Sequence, residues 1–247
     1  MENPIRLHWL DPRDPRQAFP PQHLALREPN GLLALGGDLG VTRLVRAYSQ
    51  GIFPWFNPDE PILWWCPDPR CVLRPAEFRT SGSLAKRMRK ADYAVSFNHA
   101  FGEVLRACAA PRARSRGTWL GNHMQRAYED LHRRGFCQSL EVWRQGRLIG
   151  GLYGVSIGRA FFGESMFSRE TDASKIAMHW LCRQLNAWNF SLVDCQVTTP
   201  HLLSLGAQTI SRERFLFELQ TAVGAGGRTG HWKFDIAVPA ARHHLPT

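Results

Sequence analysis

From Asp38 to Gly51 the chain reads "DLGVTRLVRAYSQG", where Leu44, Val45 and Tyr48 recur at helical spacing. The pattern predicts an amphipathic helix, begun by Asp38 or Thr42 as cap and stopped at Gly51. Around it the residues up to Arg70 are rich in Pro, Gly and Trp, with turns at "EPNG" and "NPDEP". They predict a small amino-terminal domain, residues 1–70, ahead of a larger domain, residues 71–247.

Beyond Arg70 helical and alternating patterns mix. "SGSLAKRMRKA" predicts a helix capped by Ser81 or Ser83, "YAVSFN" a strand, "HAFGEVLRACAA" a helix, and "NHMQRAYEDLHRRG" a helix closed by Gly135. An antiparallel meander follows: "SLEVWRQ", a turn at Gln145-Gly146, "RLIGGLYGVSI", a turn at Gly158, then "RAFFGESMF". In "DASKIAMHWLCRQLNAWN" the residues Ile176, Trp180, Leu181, Leu185 and Trp188 form one apolar stripe, and a short strand "SLVDCQV" comes next.

Period-two alternation puts Phe162, Glu164 and Met166 on one face of the third meander strand, unless Gly163 marks a bulge. It likewise puts Leu192, Asp194 and Gln196 together in the last strand. Strand, helix and strand in that order suit a right-handed crossover that lays the two strands parallel, so Glu164, Asp194 and Gln196 are expected to meet.

Glu164 is the sharpest feature, a carboxylate among Phe161, Phe162, Met166 and Phe167. A carboxylate in apolar surroundings needs a partner, and its own strand offers no cation; a ligand amine or a distant Arg must supply one. Asp194 and Gln196 read either as polar strand-end groups bound to backbone amides or as part of a ligand site.

Charge adds to the picture. The 247 residues carry a formal net charge of +10, with a sequence pI near 9.9. The excess clusters at Lys86, Arg87, Arg89 and Lys90, from Arg106 to Arg116, and at Arg133 and Arg134. This is the footprint of a phosphate-bearing partner, or else a solvated basic face. Trp55, Trp64, Trp65 and Trp119 serve either as packing or as stacking surfaces for bases.

Other chemistries find little support. The six cysteines show no CxxC spacing, so reduced thiols are expected and no metal site is indicated. No run reaches the length of a membrane span and the first residues lack the apolar core of a signal peptide, so a cytoplasmic protein without membrane contact is expected. No oligomer is indicated. "GESMFS" is not a nucleophile elbow, and neither "GGDLG" nor "GGLYG" has the context of a phosphate loop. The meander, helix and strand resemble the core of N-acetyltransferases, yet the segment "FSRETDASK" has no glycine where those enzymes cradle a pyrophosphate, which disfavours coenzyme A.

The segments "EPNGLLALGGDL", "RLVRAYSQGIFPWF", "PILWWCPDPR", "GTW", "GGLYGV", "FFGESMFSR", "DASK", "DCQV" and "HLLSLGA", in order and spacing, resemble the leucyl/phenylalanyl-tRNA-protein transferase family, from about Pro29 to about Phe217. The resemblance implies an α+β fold, an N-acetyltransferase-like mixed-sheet domain with a small amino-terminal domain. It implies an enzyme without cofactor that moves Leu or Phe, and less often Met, from aminoacyl-tRNA to proteins with amino-terminal Arg or Lys, marking them for N-degron degradation. Asp194 and Gln196 match the positions to which the family's catalysis is assigned, and Glu164 matches the carboxylate that holds the amino group of the transferred residue. The resemblance also implies a side-chain pocket from Leu152, Phe161, Met166, Met178, Leu181, Leu185 and Val193. Tyr48, Trp55, Trp119 and Tyr128 match residues around the terminal adenosine and the acceptor, and Lys86, Arg87, Arg89 and Lys90 are expected to hold tRNA phosphates.

The chain departs from the family in places. "FCQSLEVW" lacks the His-Ser that often precedes the "EVW" strand, Leu181 stands where some members have a larger aromatic residue, and the tail "HWKFDIAVPAARHHLPT" matches weakly. Since Gln196 is too weak a base, Asp194 is expected to polarise it or take the proton through it, with positioning of the reactants the larger part. A coenzyme A-dependent N-acyltransferase and a non-catalytic tRNA-binding module are the rival readings.

Overall fold

A computed structural model describes residues 7–110 and 120–239. Eleven strands are present among them: β1 His8–Leu10, β2 Leu32–Gly36, β3 Phe53–Pro54, β4 Leu63–Trp65, β5 Arg70–Leu73, β6 Ala94–Phe97, β7 Cys137–Arg144, β8 Arg147–Ile157, β9 Ala160–Ser168, β10 Leu192–Gln196 and β11 Gln208–Ile210. The α-helices are α1 Val41–Ser49, α2 Gly82–Met88, α3 Phe101–Ala109, α4 Asn122–Arg133, α5 Ala173–Ala187, α6 Pro200–Ser204 and α7 Arg212–Gly224.

The strands form a small sheet, ordered β1-β2-β4-β3, and a seven-stranded sheet, ordered β11-β5-β10-β9-β8-β7-β6. In the larger sheet β9 and β10 are parallel and the other pairs antiparallel, so the chain has the mixed α+β architecture expected of it. The meander follows from local chemistry. Gln145 and Gly146 both take positive φ in a two-residue turn that pairs Arg144 with Arg147, and a second tight turn at Gly158 pairs Ile157 with Ala160. Helix α5 then carries the chain across one face, so that β10 returns parallel to β9.

The large sheet separates two apolar clusters. Phe161, Val193, Leu152 and Leu140 face α5, where Ile176, Met178, Leu181 and Leu185 pack on them. Phe162, Leu192, Tyr153 and Val155 face the other way, toward α1, α3, α4 and α7 and the small sheet. The carboxy-terminal segment also joins the α5 side: Trp232 is buried against Phe97, Phe161 and Trp188. Gln138, in the "FCQSLEVW" segment, holds that segment by accepting the Trp232 backbone N–H at 3.1 Å.

Three differences from the sequence reading stand out. The amino-terminal region forms a sheet as well as its helix, because strands of two to five residues leave no readable period. Neither Asp38 nor Thr42 caps α1; the N-cap is Gly40, while Asp38 accepts from the Gly40 N–H at 2.7 Å and from Arg43 Nε at 2.7 Å. Strands β5 and β11 and helix α7, which the periodicity did not mark, complete the edge of the large sheet. Among the described residues no helix is long and apolar enough to cross a membrane, and no group of three or more His, Cys, Asp or Glu is placed to hold a metal ion.

Candidate functional site

The site begins where β9 and β10 part. They pair at Leu192 with Ala160, Val193 with Phe161 and Asp194 with Phe162, and no further. Each strand then takes an extra residue. Between β8 and β9, Tyr153 lies opposite Ser165 and Gly154 opposite Gly163, so Glu164 is the bulged residue. Between β5 and β10, Asp194 lies opposite Val72 and Gln196 opposite Cys71, so Cys195 is the bulged residue. The simple alternation expected for both strands fails at these points, just beyond the last β9–β10 pair.

Local chemistry fixes both bulges. Gly154 is required beside the first, because a Cβ there would lie 2.2 Å from the Phe162 carbonyl oxygen. At the second, Gln196 adopts φ +55°, unusual for a residue with a side chain, and its N–H donates to Asp194 Oδ1 at 2.9 Å.

The gap holds a cavity of about 290 Å³, bounded by Leu152, Tyr153, Phe161, Glu164, Met166, Met178, Cys195 and Gln196. Leu152, Phe161 and Met178 belong to the cluster on the α5 side and Tyr153 to the other, so the cavity draws on residues of both clusters. A second opening, about 160 Å³, lies beside it between Phe53, Pro54 and Trp55 and shares Glu164, Cys195, Gln196 and Val197 with the first. Glu164 and Gln196 therefore stand where an apolar chamber meets a chamber walled by an aromatic residue that is 50% exposed.

Within the fold the hydrogen-bond partners of Glu164 are two tyrosine hydroxyls rather than the cation its sequence context called for. Tyr48 donates to Oε1 at 2.8 Å, Tyr128 donates to Oε2, and the two hydroxyls lie 3.1 Å apart. Burial lifts the Glu164 pKa from its ordinary 4.5 to about 7; the two tyrosine hydroxyls hold it down, Asp194 adds to the rise and Arg70 opposes it. Burial and the Glu164 charge push both tyrosine hydroxyls well above their usual range, so they remain donors. Tyr153 is also buried, and its hydroxyl has no hydrogen-bond partner among the described residues.

A fully buried carboxylate elsewhere shows the contrast with half-buried Glu164. Glu141 accepts from Ser96 Oγ at 2.6 Å, from Ser139 Oγ, and from the backbone N–H groups of His99 and Ala100 at the start of α3. It bounds neither chamber and reads as a structural fastening of that helix.

Asp194 is fully buried and paired with a fully buried Arg70, which donates from Nε at 2.9 Å and from Nη2 at 2.6 Å. The guanidinium lies between the Phe53 and Phe215 rings, at 4.9 and 4.4 Å from their centroids. Asp194 thus bounds neither chamber; it anchors the turn that carries Gln196.

The other expected site residues divide by depth. Leu152, Phe161, Met166 and Met178 bound the apolar chamber, whereas Leu181, Leu185 and Val193 are buried behind it in the α5 cluster. Tyr48 and Tyr128 lie under Glu164 and bound neither chamber, Trp55 bounds the second one, and Trp119 lies outside the described residues. Lys86, Arg89 and Lys90 are exposed on and just after α2, but Arg87 pairs with Asp92 at 2.5 Å. Of the basic run from Arg106 to Arg116, residues 111–116 lie outside the described residues. Arg70, Tyr153 and Cys195 were not singled out in the sequence; an Arg leading into the apolar run "CVL" was the one signal that pointed to the first.

The family model described as leucyl/phenylalanyl-tRNA protein transferase matches residues 72–220, and the model for its N-terminal domain matches residues 37–68. A leucyl/phenylalanyl-tRNA–protein transferase of Alkalilimnicola ehrlichii is 53% identical over 240 residues, 96% of this chain and 93% of that protein. One of Nitrosospira multiformis is 57% identical over 217 residues, 88% of this chain and 94% of that protein. Among solved structures, L-PGS from Bacillus licheniformis aligns with a TM-score of 0.37 and 9% identity over 60% of this chain and 48% of that one, too remote to bear on function.

Proposed function

Because the chain belongs to the leucyl/phenylalanyl-tRNA–protein transferase family, and is an aminoacyltransferase that works from tRNA to protein, we propose that it moves Leu or Phe, and Met less readily, to the amino-terminus of proteins beginning with Arg or Lys. In the cytoplasm the product would carry the destabilising residue of an N-degron. The observation that supports this most directly is the junction of the two chambers, with one carboxylate and one amide at the point where they meet.

The donor's side chain occupies the apolar chamber, where Met178 and Phe161 suit Leu and Phe and a mismatch of one methylene costs about 1 to 3 kcal/mol. Glu164 meets the donor's ammonium group, the partner that no cation in its own strand provides. Trp55 offers the adenosine or the acceptor an aromatic face. The ester is already activated, so the protein acts chiefly by alignment: Gln196 orients the reactants, and Asp194 with Arg70 keeps Gln196 in place. Exposed Lys86, Arg89 and Lys90 hold tRNA phosphates. The same reading divides the chain near Arg70, where the small sheet has ended and β5 of the large sheet begins.

The test is direct transfer. Labelled Leu or Phe on tRNA should pass to a peptide beginning with Arg or Lys and not to one beginning with Ala. Transfer of an acetyl group from acetyl-coenzyme A, or binding of charged tRNA without any transfer, would reject the assignment.

A further inference from the structure

Aminolysis of an ester needs somewhere for the amine's proton to go. Gln196 is a neutral amide, and Asp194 is fully buried against Arg70 and bounds neither chamber, so an incoming amine does not meet it. We propose that Glu164 takes the proton from the attacking amine and is the catalytic base of the transfer, an assignment that rests on the aminoacyl-transfer reading above.

Four residues bound both chambers: Glu164, Cys195, Gln196 and Val197. Val197 is apolar, and the Cys195 thiol is held well above its usual range by a hydrogen bond with Cys71 and by burial, so it is not a thiolate. No histidine bounds either chamber among the described residues. Among the described residues that bound both chambers, Glu164 is the group basic enough to take a proton.

The chemistry of the donor brings the acyl carbon to the same place. In an aminoacyl ester the α-nitrogen is two bonds from the carbonyl carbon, so a carboxylate that holds this nitrogen lies within reach of an amine attacking that carbon. In the step, the acceptor nitrogen forms its bond to the acyl carbon and gives one proton to the Glu164 carboxylate. The bond from that carbon to the adenosine oxygen then breaks, and the proton passes to the departing oxygen. The products are an amide and a free hydroxyl, and Glu164 returns to its ionised form.

The surroundings suit a base that works near neutrality. Facing Glu164 are Tyr48 from α1, Tyr128 from α4, Tyr153 from β8, Cys137 from β7, Arg70 from β5 and Asp194 from β10. Tyr48 and Tyr128 are positioning residues: they fix both carboxylate oxygens and favour the ionised form against burial. The balance leaves the carboxyl with a pKa of about 7, so that near neutrality about half of it is ionised and it is a stronger base than an ordinary carboxylate.

A base and a mere anchor for the ammonium group predict different results with a donor that has no ammonium group. Phenylalanyl-tRNA and its α-hydroxy analogue, phenyllactyl-tRNA, are compared on wild type and Glu164→Gln with a peptide beginning with Arg. A base requires kcat to fall on the order of a hundredfold or more with both donors, and the acidic limb of the wild-type kcat profile to vanish. An increase in KM for phenylalanyl-tRNA alone, with unchanged kcat for phenyllactyl-tRNA, would show an anchor only and overturn the assignment. Tyr48→Phe keeps the test open should Glu164→Gln not fold. Loss of that hydrogen bond raises the Glu164 pKa, so the acidic limb must move to higher pH, and an unmoved limb counts against the base. Wild type that transfers neither donor would instead sink the aminoacyl-transfer reading itself.

Discussion

Between pH 4.5 and about 7 the folded protein keeps a proton on Glu164 that the unfolded chain releases, because burial raises this pKa on folding. The sign follows from linkage: the group's contribution is fully present below 4.5 and is lost as pH rises through about 7. Urea unfolding across this range should show wild type losing stability relative to Glu164→Gln as pH rises, with the difference levelling off above the folded pKa. Parallel curves for the two proteins would mean that the carboxyl titrates normally. Arg70 makes the complementary case. Arg70→Leu strands the buried Asp194 carboxylate and should cost about 3 to 5 kcal/mol in the same measurement, whereas a loss under about 1 kcal/mol would mark the pair as no more than a surface bridge.

At the scale of elements, α5 presents two residues one turn apart with different duties. Met178 reaches the apolar chamber, while Leu181 is buried behind it in the core. Met178→Ala should widen the chamber and let bulkier apolar donors compete, by a factor of roughly 10 to 200 in relative transfer rate between competing charged tRNAs. Leu181→Ala should lower stability by about 2 to 5 kcal/mol and leave the order of preference among Leu, Phe and Trp donors as it was. If Leu181→Ala changes that order instead, the wall of the pocket extends deeper than the present cavity. The bulges are the other lesson of this scale. Period-two alternation places Glu164 with Phe162 and Met166, yet the extra residue in β9 takes Glu164 out of the ladder and aims it at the gap.

Across the whole molecule, the charge of +10 and the exposed cations Lys86, Arg89 and Lys90 call for tRNA affinity that falls steeply with salt. Alanine at each of these should lower the slope of log affinity against log salt by about 1, and Arg87→Ala by less, since Asp92 already neutralises it. A filter-binding titration that finds the slope unchanged in the triple variant would move the phosphate track elsewhere. The meander, its two tight turns, the apolar stripe of α5 and the parallel return of β10 were legible in the sequence, because each depends on a period or a turn residue within a few positions. The presence of a carboxylate in need of a partner at Glu164 was legible too. Its partners were not: Tyr48 and Tyr128 lie 116 and 36 residues away, and Arg70 lies 124 residues from Asp194. A sequence pattern records which side chains must leave water, a local property of each segment. Which buried groups then face one another depends on where the strands bulge and part, and packing between distant segments decides that.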